Sequence, residues 1–136
     1  MRILIVDDNA SVRRMMVRLL ARVADEIHEC GDGADAVDAY SRNKPDWVLM
    51  DIKMGEVDGL TATRRIKARF PGARIIIVTN HDDSELREAA EAAGACSYIL
   101  KENLYTLPTL LLQLSGSNLA TCEAEHHDSS EENKRD

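Results

Sequence analysis

Polar side chains that can bind metal ions and phosphoryl groups follow four short apolar segments of this 136-residue chain. They are Asp7 and Asp8 after residues 3–6, Asp51 after residues 47–50, Thr79 after residues 75–78, and Lys101 after residues 98–100. Three carboxylates held close together oppose one another's ionisation, because like charges raise each other's pKa. Protonation or a hard divalent cation relieves this repulsion, and a ligand set made only of oxygen atoms favours Mg²⁺. The residue types therefore predict a Mg²⁺ site, provided that the fold brings the segment ends together.

The same residue types suit phosphoryl transfer, which depends mainly on positioning and on neutralising the charge of the phosphoryl oxygens. An ionised aspartate can itself accept the phosphoryl group and form an acyl phosphate. Asp51 is the predicted acceptor because it stands alone at its strand end, whereas Asp7 and Asp8 are paired for the metal. Taken singly, such residues are more often turn, cap or solvated surface residues. Complementary groups at four strand ends favour the functional interpretation.

The four apolar segments are short, do not alternate with polar residues and are rich in β-branched side chains, which is typical of strands buried on both faces. Residues 26–30 are mostly polar and predict an edge strand. Amphipathic segments between the strands predict helices over residues 12–23, 33–42, 58–70 and 82–94, and from near Thr106 onward. Alternating strands and helices predict one parallel sheet with helices on both faces. All strand ends then share one edge, where ligands bind.

Composition limits the classes of partner. The net charge is −7, and six of the acidic residues lie within residues 117–136. This balance argues against direct nucleic-acid binding, which needs a basic face. No apolar segment is long enough to span a membrane or to act as a signal peptide, so we expect a cytoplasmic protein. We predict one folded domain over residues 1–115 and an acidic, disordered tail over residues 116–136.

Several of these motifs resemble the receiver domain of two-component response regulators. The resemblance rests on residues 3–9, 49–54 with Asp58-Gly59, 77–79, and 92–95 with 98–101, and it covers about residues 2–115. It implies a flavodoxin-like (βα)5 fold, doubly wound, with a parallel five-stranded sheet in the order 2-1-3-4-5. It also implies that Asp51 accepts a phosphoryl group from a sensor histidine kinase or a phosphotransfer protein.

The resemblance further implies a Mg²⁺ ligand set. Asp8 and Asp51 would bind the ion through their side chains, Asp7 would assist through a water molecule, and Lys53 would contribute its backbone carbonyl. Near the phosphoryl group, Lys101 would pair with its charge and Thr79 would hydrogen-bond one of its oxygens.

Activation would follow from a movement of Thr79. Its hydroxyl reaches a phosphoryl group on Asp51 only if its loop moves, and this empties space that Tyr98, the implied aromatic switch, can fill. The surface formed by the fourth helix, the fifth strand and the fifth helix would change as a result. An unknown downstream protein would bind there, and the family analogy also allows a homodimer through this face.

Some positions depart from the family pattern. Gly55 stands where proline is usual, Asn80 where a small residue is usual, and Glu102 where proline is common. Lys53 and His81 lie two residues after Asp51 and Thr79 and would flank the hydrolytic water, so they and Asn80 are candidates for setting the lifetime of the phosphoryl group. These departures affect rates and partner fit rather than the core site.

The leading functional hypothesis is a stand-alone receiver that catalyses only its own phosphotransfer and dephosphorylation. The main alternative is a receiver fragment of a longer DNA-binding transcriptional regulator. A Mg²⁺-dependent phosphohydrolase using Asp51 is disfavoured, because such enzymes place a second acid where this chain has Lys53. A flavin-binding flavodoxin is disfavoured because acids, not a Ser/Thr/Gly-rich loop, follow the first strand.

Overall fold

The computed structural model describes residues 1–54 and 57–116 of the chain. Gly55 and nearly all of the predicted tail lie outside the described residues. The strands are β1 (Arg2–Val6), β2 (Glu26–Cys30), β3 (Trp47–Met50), β4 (Ile75–Thr79) and β5 (Ser97–Leu100). The helices are α1 (Ala10–Leu20), α2 (Ala36–Asn43), α3 (Gly59–Arg69), α4 (Ser84–Ala93) and α5 (Leu107–Gly116), with 3-10 turns at Gly33–Asp35 and Lys101–Thr106.

The strands form one parallel sheet in the order β2-β1-β3-β4-β5, which confirms the flavodoxin-like fold predicted for the chain. Strands β3 and β4 are fully buried, as their unbroken apolar sequences predicted. Strand β2 lies at an edge of the sheet and is largely polar, also as predicted.

Helices cover both faces of the sheet. Successive side chains of the inner strands point to opposite faces, so the protein has two hydrophobic cores, one on each side of the sheet. One core packs under α2, α3 and α4, with Leu4, Val48, Met50, Ile75 and Ile77 supplied by the strands. The other packs under α1 and α5, with Ile3, Ile5, Leu49, Ile76 and Val78 supplied by the strands. No helix within the described ranges is long and apolar enough to cross a membrane.

The N-terminal ends of three helices are fixed by side-chain caps, at the edge of the sheet where the strands end. Asn9 caps α1 by accepting hydrogen bonds from the backbone N–H groups of Ser11 and Val12. Asp58 and Asp83 cap α3 and α4 in the same way.

Gly94 ends α4 at its C-terminus with a φ of 104°, a left-handed conformation that glycine adopts without strain.

The loop after Asp51 and the start of α3 approach each other so closely that only glycine fits. A Cβ atom built on Gly59 would lie 1.9 Å from the backbone oxygen of Asp51. The Gly59 N–H donates a hydrogen bond of 2.8 Å to the Ile52 carbonyl. The backbone that presents the Asp51 side chain is thus held directly against α3.

We predict that Gly59→Ala lowers the free energy of unfolding by about 1–3 kcal/mol, the usual cost of overpacking a tight site. The added methyl group must displace backbone atoms rather than a flexible side chain. Urea denaturation measures the loss. The control is Gly72→Ala, because a Cβ atom at Gly72 has no neighbour within 4 Å. Equal stability of the two variants would show that the contact at Gly59 is unimportant.

Candidate functional site

The central strands place two of the predicted acidic residues side by side. Val6 pairs with Met50 at the ends of β1 and β3, so Asp7 and Asp51 follow at the same level. The Asp51 N–H donates to the Val6 carbonyl at 2.9 Å, which continues the ladder of backbone hydrogen bonds as far as Asp51. Both aspartates are buried, whereas most charged side chains lie on the surface.

The other side of the site is built by the last two strands. Thr79 pairs with Leu100 at the ends of β4 and β5, and Lys101 follows at once. The Lys101 ammonium lies 3.0 Å from Asp7 Oδ2 and 3.5 Å from Asp51 Oδ1. Residues about fifty positions apart along the chain therefore meet at one edge of the sheet, as their positions after buried strands predicted.

Three carboxylates form a compact cluster. One oxygen atom from each of Asp7, Asp8 and Asp51 lies within 4.8 Å of the other two, and Asp8 is exposed while the others are buried. Asp7 Oδ1 accepts a hydrogen bond of 2.9 Å from the Asn9 N–H. Among the described residues, Asp7 Oδ2 is buried and forms an ion pair with the Lys101 ammonium at 3.0 Å, but no donor reaches it with hydrogen-bond geometry.

This donor set fits a hard divalent cation. Mg²⁺ binds proteins through one or two carboxylates, keeps several waters, and accepts oxygen ligands in preference to nitrogen or sulfur. The cluster offers two buried carboxylates, one exposed carboxylate on the solvent side, and a buried oxygen that lacks a hydrogen bond. Asp7, Asp8 and Asp51 could therefore hold such an ion.

Electrostatics show why the cluster needs positive charge. The pKa of Asp51 is raised from 3.8 to about 6: burial contributes most, the Asp7 carboxylate adds to it, and the Lys101 ammonium opposes both effects. The shift means that the folded protein disfavours the ionised form that a metal ion or a phosphoryl donor requires. One lysine offsets only part of the repulsion, so a further cation bound at the cluster would favour the ionised form of Asp51.

The loop after β4 links two predicted switch residues. The hydroxyl of Thr79, which is buried, accepts a hydrogen bond of 3.3 Å from the His81 N–H. The Tyr98 hydroxyl donates a hydrogen bond of 2.6 Å to the His81 carbonyl. His81 therefore contacts both residues through its backbone. The side chains of Lys53, Asn80 and His81 are exposed, in keeping with a position at the rim of the site.

Arg13 supports the site, although nothing in the sequence indicated this role. The Arg13 guanidinium donates a hydrogen bond of 2.6 Å to the backbone oxygen of Asp7 and pairs with Glu29 at 2.9 Å. It ties α1 and the edge strand to the loop that carries the acidic pair. Arg13 is one of several arginines of α1, and no sequence signal distinguished it from the others.

Comparisons with known proteins agree with this architecture. The family model described as the response regulator receiver domain matches residues 3–111. The chemotaxis protein CheY of Bacillus subtilis is 42% identical over 101 residues, covering 74% of this chain and 84% of that protein. The transcriptional regulatory protein DegU of Brevibacillus brevis is 36% identical over 102 residues. That match covers 74% of this chain and 43% of DegU, so the chain spans less than half of that relative.

Solved structures show the same architecture. A LuxR-family two-component response regulator from Aurantimonas sp. SI85-9A1 superposes with a TM-score of 0.79 at 30% identity, covering 91% of this chain and 92% of that one. The receiver domain of the histidine kinase CKI1 from Arabidopsis thaliana, a structure described as complexed with Mg²⁺, gives a TM-score of 0.75 at 27% identity. It covers 83% of this chain and 90% of that one.

Proposed function

The chain belongs to the response regulator receiver domain family, the receiving component of two-component signal transduction, and from this premise we propose that it accepts a phosphoryl group on Asp51 in a Mg²⁺-dependent reaction. The proposal rests above all on the convergence of Asp7, Asp51 and Lys101 at one edge of the sheet. Asp8 completes the acidic cluster on the exposed side.

Metal binding is the first requirement of the proposal. Asp8 and Asp51 would hold the ion through their side chains, Asp7 would assist through a water molecule, and the backbone carbonyl of Lys53 would complete the protein ligands. A bound Mg²⁺ would neutralise phosphoryl oxygens and the carboxylate cluster. The CKI1 receiver domain, whose structure is described as complexed with Mg²⁺, supports the choice of this ion.

The transfer step uses the carboxylate of Asp51 as the nucleophile. One carboxylate oxygen forms a bond to phosphorus while the bond from phosphorus to the donor breaks, and the donor leaves with the bonding electrons. With a phosphohistidine donor the leaving group is the imidazole, and with acetyl phosphate it is acetate. Lys101 lies where it can pair with the transferred charge, and Thr79 supplies a hydroxyl from the adjacent strand end.

Incubation with acetyl phosphate or phosphoramidate tests the proposal. We predict that intact mass spectrometry detects one added phosphoryl group with Mg²⁺ present and none with excess chelator. Asp51→Asn should remain unlabelled, whereas Asp38→Asn, which changes an exposed acid on α2, should be labelled like the parent protein. Failure of the parent protein to take up label from these donors and from histidine kinases would contradict the proposal.

The proposed partners follow from this chemistry. We propose that a sensor histidine kinase or a phosphotransfer protein supplies the phosphoryl group. An unidentified protein target would then bind the surface of α4, β5 and α5, and this face could also support a homodimer. The protein would act in the cytoplasm, and its only catalysis would be its own phosphorylation and dephosphorylation.

A second candidate function is favoured by one finding. DegU, named as a transcriptional regulatory protein, matches this chain over 43% of its own length. The receiver could therefore be part of a longer DNA-binding regulator. The length of the open reading frame distinguishes the two: a DNA-binding domain encoded downstream supports the regulator, and a stop codon after Asp136 supports the stand-alone receiver.

The exposed side chains beside the site are predicted to set the lifetime of the aspartyl phosphate. Lys53 and His81 follow Asp51 and Thr79 by two residues, and both are exposed, as is the neighbouring Asn80. Changing both Lys53 and His81 to alanine should alter the rate at which water reaches the phosphoryl group. Mass spectrometry after removal of the donor gives the half-life. An unchanged half-life would end this hypothesis.

A further inference from the structure

We propose that Arg87 is a positioning residue that holds the Tyr98 ring over the loop between β4 and α4. The inference deepens the proposed function, because it concerns how the state of the phosphorylation site reaches the surface of α4, β5 and α5. It rests on three contacts that join three separate elements. Neither the family motifs nor the periodicity of α4 marked Arg87.

The first contact is between Arg87 and the aromatic ring. The guanidinium carbon of Arg87, on α4, lies 4.6 Å from the centroid of the Tyr98 ring, on β5. A cation at this distance over a tyrosine face is attracted by the negative charge of the ring face. The ring is therefore covered on its outer side by a side chain from the neighbouring helix.

The second contact anchors Arg87 to the loop. Its guanidinium lies 3.4 Å from Asp82 Oδ1, immediately before the α4 cap residue Asp83. An exposed ion pair of this kind contributes little to folding. It does, however, direct the planar guanidinium, which can pair with a carboxylate while it stacks on an aromatic ring.

The third contact connects the ring to the switch loop. The Tyr98 hydroxyl donates to the His81 carbonyl at 2.6 Å, and the His81 N–H donates to the Thr79 hydroxyl at 3.3 Å. A movement of Thr79 toward Asp51 therefore either breaks this hydrogen bond or carries the His81 backbone with it. Whether the Tyr98 hydroxyl then keeps its hydrogen bond to the His81 carbonyl would depend on how strongly Arg87 holds the ring in place.

A crevice that could accommodate the Tyr98 ring in another conformation lies next to its observed position. Tyr98 and Arg87 both line a crevice of about 150 Å³ between α4 and β5, with Ala90 and Ala95 among its other walls. Without the stacked guanidinium, the ring would sample this space and solvent more often, opposed by its hydrogen bond to the His81 carbonyl. Loss of an exposed cation–π contact should change the populations of the ring conformers about two- to fivefold.

Nuclear magnetic resonance of ring-labelled tyrosine tests the proposal on the unphosphorylated protein. Tyr98→Phe identifies the Tyr98 signals among those of the three tyrosines. In Arg87→Ala, the Tyr98 signals should move toward those of Tyr105, whose side chain is 71% exposed. In Arg87→Lys, the Tyr98 signals should return part of the way to their parental positions. An ammonium can still lie over the ring, but it lacks the planar guanidinium that pairs with Asp82 at the same time.

The matched control is Arg69→Ala, which removes an arginine stacked at 5.3 Å over Phe70, away from the β4–α4 loop. The Tyr98 signals should not move in this variant. Unchanged Tyr98 signals in Arg87→Ala, or equal changes in both variants, would overturn the proposal. Because no phosphoryl donor is used, a failure to label Asp51 would refute the proposed function without affecting this measurement.

Discussion

Replacing Lys101 by alanine is expected to lower the free energy of unfolding by about 2–4 kcal/mol at neutral pH without divalent cations, because breaking a buried ion pair leaves uncompensated charge. The ammonium lies 3.0 Å from Asp7 Oδ2 and 3.5 Å from Asp51 Oδ1, and its side chain is only 14% exposed. The substitution therefore leaves two buried carboxylates facing each other. Urea denaturation with excess chelator measures the loss.

Two further measurements make this prediction specific. Lys53→Ala removes an exposed lysine two residues after Asp51 and should change the free energy of unfolding little. Saturating Mg²⁺ should recover part of the stability of the Lys101 variant, because an ion bound to the folded state alone stabilises it by mass action. If the Lys101 variant loses no more stability than the Lys53 variant, the ammonium does not compensate the acidic cluster.

Asp51→Asn is expected to have the opposite effect and to raise the free energy of unfolding by about 2–3 kcal/mol at neutral pH in the absence of Mg²⁺. The pKa of Asp51 is raised from 3.8 to about 6, first by burial and then by Asp7. Between these two pH values the folded state binds a proton that the unfolded state has released. Stability should therefore fall as the pH rises through this range and stay low above it.

The amide removes this dependence because it does not ionise. Denaturation curves at several pH values should show a parent protein that loses stability between about pH 4 and pH 6 and an Asp51→Asn variant that loses less. Asp38→Asn, on the exposed surface of α2, provides the control and should keep the parental pH profile. An Asp51→Asn variant that is less stable than the parent above pH 6 would contradict the assigned electrostatics.

The architecture could be predicted because its signals are local and repeated. Apolar segments such as residues 47–50 and 75–78 are too short for helices, and polar residues mark their ends. In a parallel sheet those ends must share an edge, so the meeting of Asp51 with Lys101 follows from the topology. The late start of α5 was also predictable, because Pro108 is tolerated only in the first helical turn.

Details that depend on contacts between elements could not be predicted in the same way. The chain between β5 and α5 forms a 3-10 helix at Lys101–Thr106 with a kink at Asn103, whereas the sequence showed only that α5 begins late. Residues 33–42 were predicted as one helix, but Gly33–Asp35 is a 3-10 turn before α2. Such short turns depend on the packing of the neighbouring elements rather than on periodicity.

Side-chain partners were the least predictable part of the site. Arg13 and Arg87 both lie on amphipathic helices whose periodicity gives no sign of a particular contact. The structure instead places Arg13 on the carbonyl of Asp7 and Arg87 on the ring of Tyr98. Long charged side chains can reach several neighbours, and only the packing of α1 against β1 and of α4 against β5 selects among them.

The assignment of Asp51 as the phosphoryl acceptor is tested most directly by locating the phosphoryl group within the chain. Borohydride reduces an aspartyl phosphate to homoserine, so the protein is incubated with Mg²⁺ and acetyl phosphate, reduced, digested and sequenced by mass spectrometry. We predict homoserine at position 51 alone, and only in samples that contained both Mg²⁺ and the donor. Conversion of another acid, such as Asp7 or Asp8, or a phosphoryl group found instead on a histidine, would contradict the assignment of Asp51 as the acceptor.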